Sequence, residues 1–291
     1  MNDRRTTHLL MLLLIVIWSI DAVTVSLAVS DMSQIFLLCF KTMCSIPVIA
    51  LYTRAAEGLR LPRRKDVPLL LLATVLGDIL YFYFEYTAYR YLPVSMVTLA
   101  LGMLPAASHL TDCALAHRRP TAAIMVPILI SIGGLALAVV PDASEGNALG
   151  YLSCALCVAL WIAYGYVARR LGERRYGPAQ ITLYESVAAS LIMLPFALLN
   201  APASLTAFDV GIGIVVMGVV TTGFGYMLEV RGLIVLGTTV SGLYLNILPV
   251  FTAIAGIVFL REPMTALQWL GAAIVIVSSV FVIRETEKGK T

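Results

Sequence analysis

Long apolar runs, each about 20 residues in length and separated by short polar connections, follow one another along the whole chain. A helix of that length crosses the hydrocarbon core of a bilayer, and it satisfies its own backbone hydrogen bonds there. The pattern therefore predicts an all-α membrane protein with ten transmembrane helices. The predicted spans are 8–29, 32–54, 67–91, 93–116, 121–140, 148–169, 178–199, 209–235, 237–261 and 265–284.

The two halves of the chain share one polar pattern. Segments 83–105 and 227–249 align without a gap. Glutamate then meets glutamate and proline meets proline, in the pairs Glu85–Glu229 and Pro105–Pro249. Because each half holds five predicted spans, the second copy enters the membrane from the opposite side, as in the inverted repeats of secondary transporters. The predicted repeats are 1–141 and 148–285, and 286–291 form a tail.

Composition and charge agree with a membrane location. The chain of 291 residues is 60% hydrophobic and 13% charged, which is too apolar for a soluble domain. Its net charge of +3 is too small to indicate nucleic-acid binding. Basic residues are concentrated in alternate connections such as 60–65 and 169–175, whereas 141–147 has none. By the positive-inside rule, both termini are predicted to lie in the cytoplasm. The predicted location is the plasma membrane of a bacterium-like cell.

The ninth predicted helix and the turn after it resemble a known family. Residues 237–251 (GTTVSGLYLNILPVF) and 261–273 (REPMTALQWLGAA) are similar to the ninth helix, acidic turn and last helix of the EamA-type ten-helix exporters in the drug/metabolite transporter superfamily. One departure is that Arg118 in the first half stands where Glu262 stands in the second. The resemblance implies a pseudo-symmetric bundle that exports small metabolites or drugs by alternating access.

Three ionisable residues are predicted to lie near the middle of the membrane, where such transporters bind their substrates. They are Asp21 in the first helix, Lys41 in the second and Asp78 in the third. Lys41 either forms a buried salt bridge with one of the two carboxylates or binds a substrate carboxylate. In the first case one carboxylate is still left for a cation or a proton.

The third predicted helix carries an acidic and aromatic stripe. Asp78, Tyr81, Phe82 and Glu85 recur at spacings of three and four residues, which places them on one face of an α-helix. Aromatic faces attract ammonium groups, so the stripe favours an amine, although an interfacial aromatic belt is the alternative. The predicted substrate-binding residues are Asp21, Asp78, Trp18, Tyr81, Glu85, Lys41, Tyr164, Tyr244 and Asn246.

Four carboxyls within predicted spans are candidates for proton coupling or for gates: Asp78, Glu85, Glu185 and Glu229. The neutral form of a carboxyl is favoured in apolar surroundings, so such groups can exchange protons. For Glu85 and Glu229, the alternative is that the side chains reach the interface with Arg90 and Arg231 as counter-ions. For Glu185, the alternative is a pair with an arginine of a connection.

Prolines and glycines within the spans predict local backbone features. Pro105 and Pro249 are predicted at mid-helix positions, where each removes a backbone hydrogen bond and could act as a hinge or as a static kink. Asn246, one turn before Pro249, is predicted to bind either backbone or substrate. Gly133 and Gly134 are predicted to allow close helix contacts.

The sequence as a whole predicts a proton-coupled secondary transporter. Its substrate would be a small amine, either an organic cation of the choline or drug type or a zwitterionic amino acid. An uncoupled channel on the same fold is the first alternative, and an intramembrane enzyme is a remote one because no HExxH or GxSxG motif occurs. No cofactor or metal is predicted. The predicted partners are the substrate and membrane lipid, and the oligomeric state is left open.

Overall fold

The computed structural model describes residues 2–28, 33–92, 97, 100–138, 147–202, 209–255 and 265–288. These residues form helices joined by short connections, and no β-strand occurs among them. The helices are α1 (Asn2–Ala28), α2 (Gln34–Ala56), α3 (segments Val67–Ala73, Thr74–Leu80 and Tyr81–Tyr91), α4 (Leu104–Leu115), α5 (Ala122–Ala138), α6 (Ala148–Glu173), α7 (Pro178–Leu199), α8 (segments Asp209–Gly225 and Tyr226–Val235), α9 (Thr238–Ala255) and α10 (Ala266–Lys288).

Several of these helices are long and apolar enough to cross a membrane. Five such segments are found among the described residues: Gln34–Ala56, Arg64–Ala88, Ala148–Glu173, Pro178–Leu199 and Ala266–Thr286. The prediction of an all-helical membrane protein is therefore confirmed for the described part of the chain. The number of ten membrane crossings stays a prediction.

Two helices contain a π-helical segment that the sequence pattern did not predict. The segments are Thr74–Leu80 in α3 and Asp209–Gly225 in α8. Both end shortly before the glutamates of the repeat, Glu85 and Glu229. A π-helix has wider turns than an α-helix and is frequent at functional sites. Asp78 lies within the first π-helical segment, where α-helical spacing does not apply. The predicted stripe therefore does not give the direction of the Asp78 side chain.

The predicted mid-helix position of Pro105 is wrong. Helix α4 begins at Leu104, after a turn at 102–103, so Pro105 lies in its first turn and the predicted continuous span 93–116 is interrupted. A proline in the first turn removes no intrahelical hydrogen bond, since that N–H has no partner within the helix. The backbone at Pro249 is helical within α9, as predicted, and its side chain lies outside the described residues.

The helices cluster into two compact units. Unit 1 comprises Met1–Tyr83 and Ala163–Val235, and unit 2 comprises Phe84–Ile162 and Leu236–Thr291. Two of the boundaries fall within α3 and α6, and the third falls between α8 and α9. Each unit therefore combines segments from both halves of the sequence.

Within each unit, helices at equivalent positions of the two halves pack against one another. Helix α2 packs against α7 in unit 1, and α4 packs against α9 and α5 against α10 in unit 2. The Asn246 side-chain amide donates a hydrogen bond to the Gly102 carbonyl at 3.1 Å. These two residues are separated by 144 positions, as are Glu85 and Glu229. Helices α4 and α9 thus meet at matching places of the repeat, which is the packing expected of two halves related by a two-fold axis.

Close packing of α5 on α10 depends on one glycine. A Cβ atom at Gly134 would lie 2.6 Å from the side chain of Ile274, whereas a Cβ atom at Gly133 would meet nothing within 4 Å. The predicted close helix contact is therefore confirmed at Gly134 and wrong at Gly133.

In unit 1, polar side chains join the connection between α2 and α3 to the connection between α6 and α7. The carboxylate of Asp66 accepts hydrogen bonds from Arg174 at 2.5 Å and from the Tyr176 hydroxyl at 2.9 Å. The Glu57 carboxylate accepts hydrogen bonds from the backbone N–H groups of Ala179 and Gln180, at 3.1 and 2.9 Å. Glu57 thus caps the N-terminus of α7 from another element.

Replacing Glu57 by alanine is expected to lower the thermal stability of the protein. The change leaves two N–H groups at the start of α7 without their acceptor and removes a negative charge from the positive end of the helix dipole, a loss of about 1 kcal/mol. Thermal unfolding of the purified protein in detergent measures the effect. Glu173→Ala, at an exposed position at the end of α6, is the control, and equal melting temperatures for the two variants would contradict the capping role.

Candidate functional site

Unit 1 buries an unusual number of charged side chains. Among its described residues, these are Lys41, Asp66, Asp78, Glu185 and Glu229. Asp66 belongs to the connection before α3 and is paired with Arg174. The other four lie within helices, and three of them are acids. Because a buried charge is costly unless it is paired or neutralised, this part of the molecule is the strongest candidate for function.

Lys41 lies over an aromatic ring of α3 and close to Asp78. The Lys41 ammonium lies 4.5 Å from the centroid of the Phe82 ring, a distance suited to a cation–π interaction. Phe82 follows Asp78 by about one helical turn, and Lys41 is close enough to Asp78 for an electrostatic interaction. Oδ2 of Asp78 is buried and has no hydrogen-bond partner among the described residues. The pair therefore retains an unused acceptor.

Glu185 lies among aromatic hydroxyl groups and interacts electrostatically with Asp78. The Tyr164 hydroxyl donates a hydrogen bond to Oε2 of Glu185 at 3.1 Å, and Oε1 has no partner within the described part of the chain. The rings of Tyr164 and Tyr226 are stacked, with centroids 6.0 Å apart. Helices α3, α6, α7 and α8 thus bring two carboxyls and two tyrosines into one buried cluster.

Gly77 allows this cluster to form. A Cβ atom at Gly77 would lie 2.6 Å from the Tyr164 ring and 2.7 Å from the Tyr226 hydroxyl. Any larger side chain would push these groups away from α3. The backbone next to Asp78 is therefore in direct contact with both tyrosines only because residue 77 has no side chain.

The two glutamates of the repeat have different surroundings. Glu229 in unit 1 is fully buried, and neither of its carboxyl oxygens has a hydrogen-bond partner among the described residues. The alternative in which Glu229 reaches the interface is therefore wrong, and Arg231 instead binds Asp3 and the Thr7 hydroxyl. Glu85 is partly exposed and belongs to unit 2. Their predicted role as a pair of gates stays a prediction.

The remaining predicted site residues are distributed over both units. In unit 1, the Trp18 indole N–H donates to the Thr221 carbonyl at 3.2 Å, and the buried Tyr81 ring makes an edge contact with Phe82 at 5.2 Å. The side chain of Asp21 lies outside the described residues. In unit 2, Tyr244 and Asn246 are buried, and Asn246 binds backbone, as described above.

Two residues of the cluster were missed in the sequence. Gly77 gives no signal, because its role depends on which rings face it. Tyr226 does give one, since it matches Phe82 at the same separation of 144 residues that relates Glu85 to Glu229. A search of the second repeat for aromatic residues would have found it.

The all-helical fold, the pairing of equivalent helices and the charges buried within them define a class, the multi-pass membrane transporters built from an internal repeat. The chain belongs to the EamA-like transporter family, whose model matches residues 5–140 and 148–284. This confirms the resemblance that was described from the sequence.

Individual relatives agree with this assignment. The chain is 28% identical over 229 residues to the threonine/homoserine exporter RhtA of Escherichia coli (strain K12), a match that covers 76% of this chain and 72% of that protein. It is 20% identical over 282 residues to an uncharacterized transporter of Archaeoglobus fulgidus, with 95% and 96% of the two chains covered. A crystal structure with 18% identity has a TM-score of 0.77 and covers 95% of this chain and 98% of its own, which supports the fold.

Proposed function

We propose that this protein exports a small amino-acid-like zwitterion across the plasma membrane by alternating access, in exchange for protons. The observation that carries the proposal is the proximity of one basic and one acidic side chain, both buried, in unit 1. Lys41 would bind the carboxylate of the substrate, and Asp78 would bind its ammonium group. The likeness to a threonine/homoserine exporter supports an amino acid as the substrate class.

Charge balance favours a zwitterion over an organic cation. When a zwitterion separates Lys41 from Asp78, each buried charge gains a new partner of opposite sign, so the desolvation cost is offset on both sides. An organic cation would take Asp78 as its partner and leave Lys41 beside a second positive charge.

The other predicted residues have supporting roles in this proposal. Asp21 offers a second carboxylate, and Trp18, Tyr81 and Tyr164 supply aromatic surface near the charged groups. Glu85, Tyr244 and Asn246 belong to unit 2, and their part in substrate binding stays a prediction. The repeats 1–141 and 148–285 are proposed to be inverted relative to each other, with both termini in the cytoplasm and with Pro249 as a flexing point of α9.

Counterflow in proteoliposomes tests the substrate class. We expect saturable counterflow of L-threonine or L-homoserine, and weak flux of choline and of 1-amino-2-propanol, which is threonine without its carboxylate. Lys41→Gln is expected to reduce the counterflow of the zwitterions at least tenfold, because a charged hydrogen bond contributes about 1.5–3 kcal/mol. The same change should not reduce the flux of 1-amino-2-propanol.

The possible contrary results are distinct. Transport of choline without any zwitterion would favour the organic-cation alternative. Flux that neither saturates nor shows counterflow would favour a channel. Liposomes with no protein and liposomes with the Glu173→Gln variant, altered at an exposed carboxyl, are the controls.

A further inference from the structure

Glu185 and Glu229 are the two buried acids of unit 1 that have no basic partner among the described residues. Asp66 is paired with Arg174, and Asp78 interacts with Lys41. An uncompensated carboxylate at such depth costs several kcal/mol. Each of the two glutamates is therefore expected to hold a proton when no cation is near.

The two glutamates differ in their connection to Asp78. Glu185 interacts electrostatically with Asp78 and accepts a hydrogen bond from Tyr164. No charged side chain within the described residues acts on Glu229 in this way. A proton at Glu185 can thus respond directly to what binds at Asp78, whereas Glu229 acts on Tyr226 rather than on Asp78 itself.

We propose that Glu185 is the proton-binding group of the transport cycle and that its proton is exchanged for a substrate ammonium bound at Asp78. The identity of the substrate in this inference rests on the proposed function. The assignment of the proton to Glu185 rests on the buried cluster alone. The other charged or titratable groups near Glu185 are Tyr164 from α6 and Tyr226 from α8. Lys41 from α2 acts through Asp78, and Glu229 from α8 acts on Tyr226.

The coupling follows from the repulsion between two neighbouring carboxylates. Lys41 compensates Asp78 alone, so Glu185 keeps its proton until the substrate ammonium brings a further positive charge to its side of Asp78. When a substrate ammonium binds Asp78, that repulsion is relieved and Glu185 can release its proton to water, so that an O–H bond breaks and a hydronium ion forms. The Tyr164 hydroxyl then donates to a full carboxylate. Binding of a proton at Glu185 has the reverse effect and favours release of the substrate, because linkage between two sites is reciprocal.

Transport by Glu185→Gln separates coupling from binding. In this variant, substrate accumulation driven by a pH gradient is expected to fall at least tenfold. Counterflow of L-threonine or L-homoserine, which needs no net proton movement, is expected to continue at a measurable rate. Glu173→Gln, with the same chemical change at an exposed position, should accumulate substrate as the unaltered protein does. Normal gradient-driven accumulation by Glu185→Gln, or uncoupling by Glu229→Gln in its place, would overturn the proposal.

A labelling experiment tests the proton without any substrate. Dicyclohexylcarbodiimide reacts with buried carboxyls only in their protonated form, and peptide mass spectrometry locates the adduct. In the purified, unaltered protein we expect labelling of Glu185 that decreases as the pH is raised, and less labelling when L-threonine or L-homoserine is present. This measurement does not depend on how well the variants fold.

The combined results distinguish the two proposals. If Glu185 is labelled but no zwitterion is transported, the proposed substrate is wrong and the proton assignment holds. If zwitterions are transported but Glu185 is never labelled and Glu185→Gln stays coupled, only the proton assignment is wrong.

Discussion

Replacement of Asp78 by asparagine is expected to lower the counterflow of L-threonine or L-homoserine about 100-fold or more. Asparagine has nearly the shape of aspartate, so the helix is retained, but the substrate ammonium loses its counter-charge in a buried position. Breaking a buried ion pair in this way costs about 3–5 kcal/mol, which corresponds to a factor of more than 100 in affinity. The Michaelis constant and the maximal rate of counterflow in proteoliposomes measure the loss.

The double variant Asp78→Asn/Lys41→Gln is the informative companion. If the two side chains interact as their proximity indicates, the losses in melting temperature of the two single variants are expected to be less than additive. Transport should not be restored, because the substrate then has neither partner. Counterflow by Asp78→Asn at the rate of the unaltered protein would show that another carboxylate, with Asp21 the first candidate, binds the amine.

Gly77→Ala is expected to destabilise the protein and to abolish coupled transport. The new methyl group would lie 2.6 Å from the Tyr164 ring and 2.7 Å from the Tyr226 hydroxyl, and both residues are fully or almost fully buried. Overpacking of this kind costs about 1–3 kcal/mol. Since Tyr164 cannot move without loss of its hydrogen bond to Glu185, accumulation driven by a pH gradient should fall together with the melting temperature.

Gly133→Ala is the matched control, because a Cβ atom there meets nothing within 4 Å. Within a helix the same change removes backbone freedom from the unfolded chain and stabilises the helix by about 0.5–1 kcal/mol, so the two alanine variants are expected to shift the melting temperature in opposite directions. Equal shifts and normal transport in both variants would contradict the role of the tyrosine cluster.

The sequence by itself determined where the helices lie. Predicted spans 67–91, 178–199 and 209–235 coincide with the observed bounds of α3, α7 and α8. The physical reason is that a membrane helix is a local structure, whose ends are set by the length of an apolar run and by the polar residues that flank it. The repeat, and with it the family, could be recognised for the same reason.

The sequence also predicted which carboxyls lie within the helices but not their partners. Asp78 and Glu185 were both candidates, and depth along a helix follows from residue spacing. Their proximity to each other and to Tyr164 depends on how four helices are rotated and packed, which spacing along one helix does not specify. An arginine was the alternative partner for Glu185, and the residue that binds it is a tyrosine.

Only the tertiary structure decided the features that depend on neighbouring helices. The π-helical segments of α3 and α8, the position of Pro105 in the first turn of α4, and the difference between Gly133 and Gly134 have no signature in the periodicity of the chain. For the two glycines the reason is direct, since Gly134 faces Ile274 of a helix distant in the sequence and Gly133 faces nothing within 4 Å.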